Sequence, residues 1–281
     1  MAAVGIVTDS ACDLTPEQTD KLGVEVVPLT IRIGDQEFTD RRDLTVEDFY
    51  RRMAESDALP ETAAPAPGAF EAAFRKVREN GATSVVCINL SGGLSATVES
   101  ARNAARALEG ELDVRVIDSR TLTGGLGTII IAASQAAKDG ATTDEVVTLV
   151  DDMVGRTRVF GALDSLDNLK KGGRIGGAQH LLGSMLAIKP LLNLSGGAVE
   201  EASKQRTRKK ALIWLRDQLF SESEVDSLAV FDGEAPDVDE FIDMLAPRFT
   251  RDQIRTGRIG PVIGTHGGPR VLGICYLAAR D

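Results

Sequence analysis

The sequence predicts an α/β protein in two parts, and three observations carry that prediction. Short apolar runs alternate with helical patterns through the first half, which builds βαβ units and a three-layer arrangement around a mostly parallel sheet. Near residue 157 the pattern changes to strands, short helices and a hairpin, as a two-layer mixed sheet requires. The chain has 281 residues, 43% hydrophobic and 26% charged, which is enough for two domains of ordinary size. The expected division is 1–157 and 158–281.

The elements follow in order. Residues 4–7 read as a buried strand entering the polar loop Thr8-Asp9-Ser10, and Thr15-Pro16-Glu17 starts a helix with Thr15 as its cap. Residues 24–33 are β-rich, Gly34-Asp35 signals a turn, and 36–38 return as a hairpin arm. Thr45-Val46-Glu47-Asp48 opens the next helix. The prolines in 59–67 exclude a helix there and predict an ordered loop feeding a helix over 70–77. Residues 84–90 form a strand that Ser91-Gly92-Gly93-Leu94-Ser95 turns into a helix over 96–108. Residues 114–118 repeat the pattern and lead through 119–127 to a small-residue helix over 128–137.

In parallel sheets a ligand sits beyond the carboxyl ends of the strands. Loops leaving those ends carry Ser10, Ser91 with Ser95, and Ser119, and they should converge. The second half reads as a strand over 159–163, a short helix over 166–170, the tight loop Lys171-Gly172-Gly173-Arg174, and a hairpin of 187–194 with 198–201. A helix over 207–220, a strand over 228–231, a helix over 238–245 and strands near 254–258 and 271–277 complete it.

Composition excludes several functions. Acidic residues outnumber basic ones 42 to 32, for a net charge of −10, which opposes attraction to nucleic acid. The three cysteines are far apart without a CxxC, and there are only two histidines, so no metal site is expected. The odd cysteine count and an amino terminus without a basic n-region point to a reducing cytoplasm. The longest apolar stretch, 181–194, is broken by Lys189-Pro190 and is too short to cross a bilayer. Aromatics are 4%, so a ligand surface should be aliphatic rather than stacking.

No catalytic constellation is complete. There is no Walker motif, no GxSxG and no HExxH, and Gly125-Leu126-Gly127 lacks the last glycine of a dinucleotide fingerprint. The 91–95 turn places hydroxyls and N–H groups at the positive end of a helix, which favours an anion, although an isolated motif of this kind more often only caps a helix. Thr62 adds a hydroxyl in the proline-stiffened loop. His266 lies in a glycine-rich turn, where a histidine is usually a hydrogen-bonded structural group; its ring offers either a neutral donor or a cation. His180 reads as an ordinary helix-face residue. The basic runs 170–174 and 204–210 are either solvated faces or a dock for an acidic or phosphorylated partner.

With these residues in view, the chain resembles the DegV family, the fatty-acid-binding subunits of bacterial fatty acid kinase. The resemblance rests on Thr8-Asp9-Ser10 with Asp13-Leu14, the 60–67 loop, Leu94-Ser95-Ala96-Thr97, Ile117-Asp118-Ser119, Leu169-Lys170-Lys171-Gly172-Gly173-Arg174-Ile175, Ile188-Lys189-Pro190 and Gly260-Pro261-Val262-Ile263-Gly264-Thr265-His266. It implies two α/β domains with a ligand tunnel between them, a long-chain fatty acid as ligand, and a carboxylate held by Thr62, Ser95 and His266. It also implies a separate kinase subunit that phosphorylates the carboxylate for phospholipid synthesis, with Arg174 and Arg206 at the rim aiding that encounter. The chain itself would be a binding subunit without catalytic residues or a cofactor. It departs from the family pattern at Ala63, Ala64 and Ala96. A small-molecule kinase or phosphotransfer enzyme related to dihydroxyacetone kinases, and a lipid carrier or sensor without phosphorylation, are the alternatives.

An acyl ligand agrees with elementary energetics. A buried methylene contributes ~0.8 kcal/mol, so a tail of about fifteen contributes on the order of 12 kcal/mol before ordering costs. A buried carboxylate needs donors, so hydroxyls and an imidazole at one end would fix its orientation.

Overall fold

The structure is a computed structural model describing residues 3–56 and 58–280, without the side chains of 182–187. In the first half the order is β1 (Val4–Asp9), α1 (Pro16–Leu22), β2 (Val24–Val27), β3 (Thr30–Ile33), β4 (Gln36–Thr39), α2 (Val46–Glu55), β5 (Glu61–Ala63), α3 (Pro67–Glu79), β6 (Ser84–Asn89), α4 (Thr97–Ala107), β7 (Asp113–Asp118), α5 (Thr123–Lys138) and α6 (Thr143–Arg156). The second half continues with β8 (Thr157–Ala162), α7 (Asp167–Lys171), a 3-10 segment (Gly176–Ala187), β9 (Lys189–Asn193), β10 (Glu200–Gln205), α8 (Arg208–Phe220), β11 (Val225–Asp232), α9 (Val238–Leu245), β12 (Ile254–Arg258), α10 (Pro261–Gly267) and β13 (Leu272–Ala278).

Local chemistry sets several of these boundaries. Thr15 and Gln18 form a reciprocal capping box with Pro16 in the first turn of α1, and Gly23 ends that helix in the left-handed region at φ 67°. Thr142 and Glu145 start α6 in the same way.

The first sheet has the order β2-β1-β6-β7 and is parallel throughout. Side chains alternate across it. Ile6, Val86 and Ile88 pack with Leu126, Ile129 and Val150 from α5 and α6, while Val7, Val85 and Cys87 pack with Phe70, Phe74 and Ala101 from α3 and α4. The expected three layers result. The second sheet, β10-β9-β8-β13-β11-β12, is mixed, with only β11 and β12 parallel. Phe160, Val230 and Ile274 on one face bury against Leu212, Leu215 and Phe241 from α8 and α9. Val159, Leu163 and Cys275 belong to a separate cluster on the other side.

Three local expectations change. Residues 24–33 are two strands in different sheets, because Pro28 has no N–H for a ladder; β2 joins the parallel sheet, and β3 pairs antiparallel with β4 and β5. The proline-stiffened loop contains β5, which places Thr62 opposite Ile31. The helix expected from 128 begins at Thr123 and includes three glycines. Those glycines admit close neighbours: a Cβ at 124 would lie 2.7 Å from Phe231, at 125 2.3 Å from Thr121 Oγ1, and at 127 2.8 Å from the Cys12 carbonyl. Packing here overrides helix propensity.

Candidate functional site

The inner face of the mixed sheet and the edge of the parallel half flank an apolar cavity that is partly open to solvent. Alternation along β8 turns Val159 and Gly161 inward, and Leu192 from β9 with Gly273 and Cys275 from β13 continue that wall. Leu29, Leu90, Leu94 and Leu122 close it from the first half. Among the described residues Phe160 is the one aromatic residue of the lining, and its ring packs on the opposite face against Trp214 and Tyr276. Burial pushes the Cys275 thiol up to about 12, so it stays protonated and unreactive.

Polar side chains gather at one end. Thr62, Ser95, Arg174 and His266 all line the cavity. His266 is held by α10, a helix where the sequence suggested a glycine-rich turn; Pro261 starts it in the first position. That helix crosses from the mixed sheet to pack on α2, β3 and β5, which brings His266 Nε2 within 3.0 Å of Thr62 Oγ1. Burial, and then the nearby Arg174 guanidinium, lower the His266 pKa to about 4. The ring is therefore neutral at pH 7. Its Nδ1 is buried without a hydrogen-bond partner. An orphaned acceptor costs less than an orphaned N–H, so the network assigns the proton to Nε2, which donates to Thr62. The Thr62 hydroxyl then has its own proton free for a ligand.

Ser95 follows the same accounting. Its Oγ accepts from the Thr97 N–H at 3.3 Å and lies 2.8 Å from Thr97 Oγ1. Ser95 thus lines the cavity and bonds the first N–H of α4, while Ala96, without a side-chain cap bond, holds the cap position. With Thr97 donating to Ser95, the Ser95 proton is also free to point outward. Arg174 donates from Nε to the Leu94 carbonyl at 3.1 Å and from Nη1 to the Gly172 carbonyl at 2.6 Å, and it forms no ion pair among the described residues. Among the described residues no carboxylate lines this cavity. Two hydroxyl donors beside an unpaired guanidinium make an acceptor-seeking site, which an anion satisfies.

The other expected residues lie elsewhere. Arg206 is exposed on the turn between β10 and α8, outside the cavity lining. His180 is exposed and pairs with Glu201. The serine loops do approach one another, since the Ser91 and Ser119 N–H groups bond the Thr121 and Asn89 carbonyls. Their hydroxyls, however, serve the backbone: Ser10 accepts from Leu29 N–H, Ser91 donates to the Gly197 carbonyl, and Ser119 to that of Thr121. Only Ser95 of the four reaches the cavity. Asn168 escaped sequence reasoning; its Nδ2 donates to the Thr265 carbonyl at 2.9 Å and docks α7 on α10. No sequence signal marks it.

Fold and cavity together define an α/β protein built around an internal apolar chamber with a polar end. The family described as "Uncharacterised protein, DegV family" matches residues 3–279. A DegV domain-containing protein of Streptomyces coelicolor is 36% identical over 276 residues, covering 96% of this chain and 97% of the relative. This chain belongs to the DegV family. Among solved structures, a DegV family protein from Thermus thermophilus, described by its fatty acid binding, superposes with a TM-score of 0.90 at 29% identity over 99% of this chain and 100% of that one. A stearic acid-binding protein from Eubacterium ventriosum gives 0.87 at 27% identity, over 99% and 98%.

Proposed function

We propose that this protein binds a long-chain fatty acid in the cavity, with Thr62, Ser95 and His266 holding the carboxylate, and presents that carboxylate to a kinase subunit. The observation that carries the reading is the asymmetry of the chamber: a largely aliphatic wall, and hydroxyl donors at one end with no carboxylate among the described residues to consume them. The solved structures described as binding fatty acids support the same ligand. In this reading the two sheets head separate domains, 1–157 and 158–281, and the tail runs between them.

The tail supplies affinity and the head sets register. Thr62 and Ser95 each donate a proton to the carboxylate, and neutral His266 orients Thr62 by donating from Nε2. Arg174 contributes positive potential without closing on the acid. The partner's chemistry is transfer of a phosphoryl group from ATP to the carboxylate oxygen, giving acyl phosphate and ADP. Arg206, exposed within the basic run 204–210, docks that partner in an otherwise acidic protein of net charge −10.

Native mass spectrometry of the purified protein, followed by organic extraction, tests the ligand. A bound acid of long chain length is expected, and Thr62→Ala with Ser95→Ala should release it. A chain that takes up no fatty acid even when offered it removes the proposal. The kinase step is tested separately: Arg206→Ala should retain the lipid and slow partner-dependent acyl phosphate formation, and equal turnover would remove Arg206 from that role.

A further inference from the structure

Glycine is disfavoured inside a strand, because it packs no side chain and gains the most freedom on unfolding. Gly161 in β8 and Gly273 in β13 are nevertheless buried within their strands, directly opposite one another in the antiparallel ladder. Neither stands in the left-handed region, so backbone conformation does not require them. Packing within the protein does not require them either. A Cβ at 161 would meet Leu163 Cδ1 at 3.7 Å and the Leu272 carbonyl at 4.0 Å, and one at 273 would meet the Phe160 and Phe231 carbonyls at 3.4 and 3.9 Å. These are ordinary contacts within the sheet and its continuation; among the described residues nothing from the facing half comes within 4 Å. Every other buried glycine among the described residues has an atom within 3.1 Å of its Cβ position. A strand glycine without these reasons marks a place where a ligand approaches the backbone.

The rows to either side carry side chains. Val159 pairs with Cys275 on one side, and Leu163 and Val271 lie on the other; all of them line the cavity, as the two glycines do. Successive rows stand about 7 Å apart along the strands. Val271 marks the polar end, since a Cβ at Gly267, next to His266, would lie 3.3 Å from it. Cys275 marks the far end, where its Sγ would lie 3.2 Å from a Cβ at Gly124 in α5. Leu192, paired with Gly161, and Phe231, paired with Gly273, bound the bare row laterally. The gap is therefore two strands wide and joins the polar end of the cavity to its far end.

We propose that Gly161 and Gly273 are specificity-determining residues of the acyl site: their bare row is the passage by which a tail anchored at Thr62, Ser95 and His266 reaches the far part of the cavity, so the pair selects long tails over short ones. The tail lies there in van der Waals contact with the two backbones. A methyl group at either position occupies space the tail needs, and a larger side chain divides the cavity. Each methylene then kept from burial forfeits its transfer free energy, so the loss grows with the length of tail beyond the row. Stability responds in the opposite sense. At an ordinary φ, replacing glycine restricts the unfolded chain and restores strand propensity.

This inference rests on the cavity being the acyl site. The test titrates delipidated wild type, Gly161→Ala, Gly273→Ala and Gly161→Val with decanoic and octadecanoic acids. Gly161→Val should bind octadecanoic acid about tenfold more weakly than wild type, as overfilling a packed space does, with a smaller loss for decanoic acid. The two alanine variants should fall between it and wild type. Denaturant titrations of the delipidated proteins should show the alanine variants at least as stable as wild type. The His266 ring resonances should keep their wild-type positions, because the head-group end is untouched. Unchanged octadecanoic acid binding in Gly161→Val, or an equal loss for both acids, overturns the passage while leaving the acyl reading intact. Destabilised alanine variants, or displaced His266 resonances, overturn it as well, since the glycines would then serve packing or the head-group end. Failure of the wild type to bind either acid overturns the acyl reading instead.

Discussion

Gly172 closes directly on His266: a Cβ at position 172 would lie 2.3 Å from the ring Nδ1. The backbone there is ordinary right-handed helix, at φ −72° and ψ −5°, so contact rather than conformation requires the glycine. Its neighbour Gly173 differs, with φ 69°, where freedom of the backbone is the reason for glycine. The two glycines of the Lys171-Gly172-Gly173-Arg174 loop thus have separate tasks, and the first belongs to the binding site.

Gly172→Ala should therefore push the imidazole off Thr62 while leaving α7 and the fold in place. Losing one buried hydrogen bond costs about 1 to 2 kcal/mol, so affinity for a long-chain acid should fall about tenfold. Calorimetric titration checks this, with circular dichroism as the folding control. Full affinity in a folded Gly172→Ala protein would show that His266 is not positioned by this contact.

His266 also predicts a pH effect on stability. Its folded pKa is lowered to about 4, by burial first and by Arg174 second, against about 6.5 when unfolded. Below 6.5 the unfolded chain takes up the proton and the folded one resists it. The stability His266 contributes is therefore present above that value and is lost as pH falls towards 4. Asp9 acts in the opposite sense: burial raises it to about 6, so its contribution declines as pH rises. Comparing wild type with His266→Gln removes the Asp9 effect, which both proteins share. The difference in unfolding free energy between them, from denaturant titrations between pH 4 and 7.5, should shift against the wild type as pH falls. A pH-independent difference would mean the imidazole is not buried as a neutral ring.

The sheets were legible because period-2 alternation and buried apolar runs are set locally. Val85, Cys87, Val86 and Ile88 read as a strand covered on both sides, and they are one. Helix starts marked by Thr15 and Thr45 were equally plain, since each cap lies within four residues of what it caps. The beginning of α5 and the helical state of 261–267 were not. Their glycines look like loop signals, and their reasons for being helical lie far away in sequence, in Phe231, Tyr50 and Phe49. The polar residues of the site could be named in advance through the family pattern. Their mutual geometry could not, because the bond between Thr62 and His266 spans 204 residues.

Arg174 offers the sharpest separation of charge from geometry. Its guanidinium spans the Leu94 carbonyl, next to Ser95, and the Gly172 carbonyl, next to the wall of His266. It also supplies the positive charge that helps depress the His266 pKa. Lysine carries the charge on a single nitrogen and lacks the planar fork that reaches both carbonyls. Arg174→Lys should therefore leave the His266 titration low, followed by the ring proton resonances, yet weaken acyl binding about fivefold as the Ser95 loop loosens. Arg174→Gln should weaken binding at least as much and raise the His266 pKa, because the repelling charge is gone. If Arg174→Lys binds as tightly as wild type, the two carbonyl contacts do not support the site. If Arg174→Gln leaves the imidazole titration unmoved, burial alone keeps His266 neutral.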